Sequence, residues 1–231
     1  MKKQLTLSPR LALLARFAGQ CGILADVGTD HALLPVWMCL QGFCQEAFAC
    51  DIRSGPLVRA AKTVQVWGME SRVQLILSDG LKSVPREYDT LVVAGMGGEL
   101  IARILSESPP AASVRLILQP MSGEEVLREY LYRSGHRIEQ EQAVCEGDKS
   151  YIVFLACAGT SDPWVPEDCF LSPAFIPDRA GRYYIDRLIA AHRKRKNGLV
   201  VARTSRMEEL EWEERLLAFL EQKRNLCQED N

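Results

Sequence analysis

Short apolar runs alternate with helix-length amphipathic segments through the first two thirds of the chain. The runs are Ile23-Leu24-Ala25-Asp26-Val27, Ala47-Phe48-Ala49-Cys50-Asp51, Val73-Gln74-Leu75-Ile76-Leu77, Thr90-Leu91-Val92-Val93-Ala94 and Val114-Arg115-Leu116-Ile117-Leu118. They are continuous rather than alternating, as strands covered on both faces must be. The pattern therefore predicts an α/β fold with a mostly parallel sheet between helices. Helical spacing fills 32–41, 55–67, 98–107 and 123–134. An opening helix is signalled by Ser8 as N-cap, Pro9 at the first helical position and the stripe Leu11, Leu14, Ala15 and Ala18, with Gly19 and Gly22 ending it. After Gly135, strands at about 137–144 and 150–157, joined by Glu146-Gly147-Asp148-Lys149, predict a hairpin that ends the sheet with an antiparallel strand.

Beyond Cys157 the pattern changes. Ala158-Gly159-Thr160-Ser161-Asp162-Pro163 and the prolines at 166, 173 and 177 read as a linker. Two helices follow, at about 178–197 and 204–225, with Asn197-Gly198 as the turn between them. The first carries Tyr184, Ile185, Leu188 and Ile189 on one side and a net charge of +5; the second places Met207, Leu210, Leu217 and Leu220 near a heptad seam. The expected division is thus 1–158 for the α/β domain and 159–231 for the linker and an antiparallel helical hairpin.

Composition narrows the classes. With 231 residues, 47% of them apolar and 25% charged, the chain can bury a full core and is not disordered. No uninterrupted run of about 18 apolar residues offers a membrane span. Arg10 and Arg16 interrupt what would be a secretory apolar region. A net charge of −2 gives no global pull on nucleic acid, so a polyanion site has to come from local clustering. The eight cysteines are scattered without a Cys-x-x-Cys pair, and the three histidines lie far from any pair of them. No zinc site and reduced, cytoplasmic thiols are expected.

The acidic and glycine-rich signals all fall just after predicted strands, where open parallel sheets bind ligands. Asp26-Val27-Gly28-Thr29-Asp30-His31 closes the first strand; Gly28 permits a tight turn, but Asp30 stands where a dinucleotide fingerprint has its second glycine. A pyrophosphate would meet that carboxylate, so NAD and FAD are disfavoured and a cationic or zwitterionic ligand is favoured. Asp51, 23 positions beyond Gly28, is placed to chelate ribose hydroxyls. Ser78-Asp79-Gly80-Leu81 can receive an adenine amine, and Ala94-Gly95-Met96-Gly97-Gly98 strips side chains from the cleft floor. Each alone reads as an ordinary turn. Together they describe a pocket for a nucleoside with a cation, which S-adenosylmethionine matches.

Leu7-Ser8-Pro9-Arg10-Leu11, Ala25 to Pro35, Ser78 to Leu81, Ala94 to Ile101, Leu116-Ile117-Leu118-Gln119-Pro120 and the later Glu146…Lys149-Ser150-Tyr151 resemble the bacterial tRNA (adenine-22-N1)-methyltransferases. The likeness runs from about residue 5 to 157 and reaches the helical hairpin by architecture only. It implies a Rossmann-like class I methyltransferase sheet, S-adenosylmethionine as donor, and N1 of adenine 22 in tRNA as acceptor. On the resemblance, Asp26, Gly28, Asp30 and His31 line the methionine side, with Arg10 also in the donor site. Asp51 and Ile52 hold the ribose, Asp79, Gly80 and Leu81 the adenine, and Ala94, Gly95, Met96 and Gly97 the floor near the sulfonium. Met121 follows Gln119-Pro120 where the family usually has Asn, and Asp51-Ile52-Arg53 has Asp where members often carry Glu.

Asp30 is the catalytic candidate, as a carboxylate beside a base that becomes cationic, with holding the methionine amine as its rival role. His31 reads as a substrate contact or proton shuttle, or as a helix cap. Tyr151 is a platform for the target base, and Arg193-Lys194-Arg195-Lys196 either contacts RNA phosphates or is a solvated helix end suited to the macrodipole. Arg10 and Arg16 can extend that basic patch. The expected partner is tRNA, with no membrane and no metal, and the chain is expected to be a monomer or weak dimer. The competing readings are a class I methyltransferase with a non-RNA substrate, a non-catalytic donor-binding tRNA module, and, more distantly, a nicotinamide-dependent oxidoreductase.

Overall fold

The computed structural model describes residues 4–159, 163–201 and 206–227. Seven strands form one sheet in the order β3-β2-β1-β4-β5-β7-β6. They are β1 (Ile23–Val27), β2 (Glu46–Asp51), β3 (Val73–Leu77), β4 (Thr90–Met96), β5 (Arg115–Pro120), β6 (His136–Glu146) and β7 (Lys149–Ala158). Strands β1 to β5 are parallel, and β7 is antiparallel to both of its neighbours. The hairpin folds back so that β7, later in sequence, slots between β5 and β6. Apolar content explains the choice: Ile152 to Ala156 are buried without a break, whereas β6 alternates buried residues with Glu and Gln and suits an edge.

Helices α1 (Pro9–Ala18), α2 (Leu33–Leu40) and α3 (Ser54–Val66) cover one face of the sheet. The other carries α4 (Gly98–Glu107), α5 (Glu124–Arg133), α6 (Arg179–Val201) and α7 (Met207–Leu226). Strand residues divide between the two layers by the pleat: Leu24 and Val92 pack with the first set, Ala25, Val27, Leu91 and Val93 with the second. The first helix begins as its sequence predicts, with the Ser8 hydroxyl accepting from the Leu11 N–H at 3.5 Å and Pro9 inside the first turn. It stops at Gly19, whose N–H reaches the Ala15 carbonyl. Among the described residues no helix is long and apolar enough to cross a membrane, and all eight cysteines are free.

The proline-bearing stretch after β7 is packed where it is described. Pro166–Cys169 form one 3-10 turn, and Cys169, Leu171 and Ser172 are buried. Arg128 of α5, with no exposed surface, forks onto Glu141 of β6 at 3.1 and 2.8 Å and donates to the Cys169 carbonyl at 2.9 Å. The Ser172 N–H approaches the same carboxylate at 3.3 Å, and Trp164 stacks on Tyr132 with ring centroids 5.3 Å apart. Tyr184, Ile185, Ile189, Leu216, Leu217 and Leu220 then extend one core layer into the two final helices. Asn197 and Gly198 do not form the expected turn; they lie inside α6, which continues to Val201. A glycine in a helix interior costs only about 1 kcal/mol, a small penalty for a helix held along its length by α7. The connection between the two helices falls at 202–205, outside the described residues.

Removing one member of a buried ion pair strands the other charge. Arg128→Met is expected to lower the unfolding free energy by about 3–5 kcal/mol, read from urea denaturation; a loss below about 1 kcal/mol would mean that the pair does not fasten this segment.

Candidate active site at the strand tips

Parallel registers bring the tips of five strands level. Val27 pairs with Cys50 and with Val93, Cys50 with Ile76, and Ala94 with Gln119. At the end of β1 the chain turns through Gly28 (φ 85°), and the N–H groups of Gly28 and Thr29 both reach the Cys50 carbonyl at 2.9 Å. A Cβ at Gly28 would lie 2.2 Å from Met96 Cε, so both backbone and space require glycine there. Ala32, immediately before α2, has φ 52°, the only positive φ outside glycine among the described residues. Such a conformation costs an L-residue roughly 1–2 kcal/mol and holds the turn away from its relaxed geometry.

A cavity of about 410 Å³ opens above these tips. Of the residues singled out in the sequence, Arg10, Asp26, Gly28, Asp30, His31, Asp51, Ala94 and Gly95 line it. Thr29 and Arg53 line it too, and neither was singled out. Asp26 is buried, and loss of water pushes its pKa up to about 6; a hydrogen bond with Thr29 opposes the rise and the neighbouring Asp51 charge adds to it. Asp51 is buried as well and accepts from the Arg53 N–H at 2.8 Å. Asp30 is exposed at the mouth, where Arg59 of α3 donates to it through Nε at 3.1 Å and through Nη2. That hydrogen bond holds the Asp30 carboxyl below the usual carboxylate range. His31 stands with Nε2 3.5 Å from Asp30. It is not a helix cap: Ala32 occupies that position, and no side chain caps α2.

The remaining motif residues stand off the cavity wall. Ile52 is 61% exposed just beyond Asp51, and Asp79 faces solvent in an ion pair with Lys82 at 2.5 Å. Gly80 backs onto Ile104, and Leu81 is buried in the core. The Met96 side chain covers the Gly28 turn, and Gly97 is the N-cap of α4. Gly98 serves packing instead of the cleft, since a Cβ there would sit 2.1 Å from the Gly123 carbonyl oxygen. Among the described residues no three His, Cys, Asp or Glu side chains gather as a metal requires.

A second cluster of side chains lies on the β5–β7–β6 side, reached from the cavity by Arg10. Gln119, fully buried, accepts from Arg10 Nη1 at 2.7 Å and from the Gly95 N–H at 3.2 Å, and donates to the Pro120 carbonyl at 2.6 Å. Arg10 also lies 3.6 Å from the Glu146 carboxylate and over the Tyr151 ring, 5.4 Å from its centroid. Sequence reading had Gln119 within a motif but gave it no role, and Arg59 carried no signal because its partner lies 29 positions away. The basic run on α6 is largely engaged with α7. Arg193 meets Glu221 at 2.7 Å, Arg195 meets Glu213 at 3.0 Å and Lys196 meets Glu214 at 2.8 Å, while Lys194 is exposed. Arg16 bonds Gln142 at the β6 edge.

Residues 7–154 match the family described as a methyltransferase domain. The tRNA (adenine(22)-N(1))-methyltransferase of Bacillus subtilis (strain 168) is 36% identical over 162 residues, 69% of this chain and 68% of that protein. The chain belongs to the tRNA (adenine(22)-N(1))-methyltransferase family. The B. subtilis M1A22 tRNA methyltransferase TrmK superposes with a TM-score of 0.77 at 26% identity, covering 96% of this chain and 97% of that one. Streptococcus pneumoniae Sp1610 in complex with S-adenosyl-L-methionine gives a TM-score of 0.78 at 31% identity, covering 95% of this chain and all of that one. A family member is therefore known with a sulfonium nucleoside bound, and the buried acids of this methyltransferase fit such a cation.

A cation settling against Asp26 favours its ionised form, so binding below about pH 6 must release a proton. Affinity for S-adenosyl-L-methionine is expected to rise as pH climbs through about 6 and to level off above it. Asp26→Asn is expected to weaken binding and flatten that dependence. Calorimetric titrations between pH 5 and 8 in buffers of different ionisation enthalpy measure both; an unchanged slope in the variant would remove Asp26 from the cation's surroundings.

Proposed function

We propose that this protein transfers the methyl group of S-adenosylmethionine to N1 of adenine 22 in tRNA, in the cytoplasm. The observation that carries the reading is the pair of buried carboxylates, Asp26 and Asp51, at adjacent strand tips beside a glycine turn in a chain of this family. When bound, S-adenosylmethionine supplies an electrophilic methyl on a positively charged sulfur. Asp26 answers the methionine end of the donor, Asp51 with Ile52 the ribose, and the Asp79–Leu81 turn the adenine. Leu81, whose side chain is in the core, would take part through its backbone.

Adenine N1 carries an in-plane lone pair and needs no base to become nucleophilic, so the work of the chain is orientation and the exclusion of water. Methylation leaves positive charge on the ring. Asp30, kept ionised by Arg59 and standing at the mouth of the cavity, is suited to oppose that charge and to accept from the N6 amine. The base has to leave its stack to reach the cleft, and Tyr151 is placed beside Arg10 to receive it. Of the four residues of the basic run, Lys194 is the one we assign to phosphate contact; the other three serve the hairpin through α7. We take the catalytic unit to be 1–158, with the helical hairpin as an appended tRNA-facing unit.

Purified protein incubated with donor and total tRNA is expected to yield 1-methyladenosine on nucleoside mapping; a different methylated nucleoside would remove the substrate reading and leave the fold untouched. Asp30→Ala is expected to lower turnover about 10²-fold while donor affinity changes little. Equal losses in both would make Asp30 a donor ligand.

Lys194→Glu is expected to raise the KM for tRNA and to flatten the salt dependence of binding by about one unit of log–log slope, with the melting temperature unchanged. Arg195→Glu, placed against buried Glu213, is expected to lower the melting temperature instead. An unaltered salt slope in Lys194→Glu would make the run wholly structural.

A further inference from the structure

The sheet order separates the strand tips into two groups. Asp26 and Asp51 stand at the tips of β1 and β2, to one side of the Ala94-Gly95 floor on β4. Gln119, Glu146 and Tyr151 belong to β5, β6 and β7 on the other side. If the donor lies over the acidic group, as the proposed function has it, the acceptor base must enter over the second group.

Arg10 is the residue that organises this second group. It leaves the first turn of α1 and reaches across the floor, where a Cβ on Gly95 would lie 3.8 Å from its Nη1. Among the described residues its side-chain partners are Gln119 at 2.7 Å, Glu146 at 3.6 Å and the Tyr151 ring at 5.4 Å. The Ser8 hydroxyl, which caps the same helix, adds a contact to Glu146 at 3.3 Å. Gln119 has no exposed surface, and both acceptor positions of its Oε1 are taken, by Arg10 and by the Gly95 N–H. That fixes which way the amide points, and its NH₂ faces the Pro120 carbonyl and the Met121 sulfur. Without the guanidinium the Gln119 amide oxygen loses one of its two donors and Tyr151 loses the cation above it, while the buried apolar face of α1 still holds the helix to the sheet. Glu146 balances the Arg10 charge on this side of the floor.

We infer that Arg10 is a positioning residue for the acceptor adenine, acting through Gln119 and Tyr151, and not a ligand of the methyl donor. The fork of a guanidinium is needed for this because one group must reach an amide, a carboxylate and a ring together.

The test compares wild type, Arg10→Met and Arg10→Lys in full-length protein, measuring donor affinity by calorimetry with S-adenosyl-L-methionine, kcat and KM with tRNA, and the melting temperature. In Arg10→Met, kcat at saturating tRNA is expected to fall tenfold or more while the donor Kd stays within about twofold. Arg10→Lys, which keeps the charge beside Glu146 but cannot fork, is expected to recover part of that loss. Glu146→Gln, which leaves the guanidinium in place but removes its counter-charge, is expected to lower kcat by a smaller factor. A donor Kd that weakens in step with kcat, or a kcat that does not move, overturns the inference. Wild-type protein making another methylated nucleoside would refute the proposed acceptor, and the split between kcat and donor Kd would still decide the role of Arg10.

Discussion

The site depends on a carboxylate that folding takes out of water. Asp26 lies one residue from the end of β1, beside Asp51 of the neighbouring strand, and burial makes its negative charge costly enough to push its pKa up to about 6. A buried acid that is half inclined to hold a proton is a poor structural element and a good receptor for a cation. Everything around it follows from parallel pairing: register places Val27, Cys50 and Val93 level, and the first residues beyond them, Gly28, Asp51 and Ala94, form one rim. The glycine turn and the left-handed Ala32 then carry Asp30 outward, so one acid is sheltered and the next is open to an incoming substrate.

Much of this was legible because strand tips announce themselves locally. A continuous apolar run followed by Asp-x-Gly or Gly-x-Gly is a one-dimensional signal, and eight of the fourteen residues assigned to the donor line the cavity. What remained hidden depends on distance along the chain. Arg59 meets Asp30 across 29 positions, and Arg10 meets Gln119 across 109; no spacing rule reaches that far. The glycines after β4 were legible as a group but not individually. Gly95 belongs to the floor, whereas Gly98 exists because α4 starts against the Gly123 carbonyl.

The C-terminal third illustrates how charge misleads when read on one helix alone. The basic run looks free from sequence, yet α7 brings Glu213, Glu214 and Glu221 to meet three of its four cations. Asn197-Gly198 looks like a turn, yet a helix supported along its length carries it. The two final helices share a core layer with α4 and α5, and Arg128 fastens the preceding segment to Glu141. The same two side chains grip the segment ahead of the hairpin through the Cys169 carbonyl and the Ser172 N–H, which ties the base of the hairpin to α5 and β6.

The central claim is that this rim is built for a positively charged sulfur nucleoside and rejects a dinucleotide. Side-by-side calorimetric titration of the purified protein with S-adenosyl-L-methionine and with NADH decides it most directly. Saturable heat from the sulfonium compound and none from NADH is the predicted result. Tight uptake of NADH with no heat from the sulfonium compound would contradict the account.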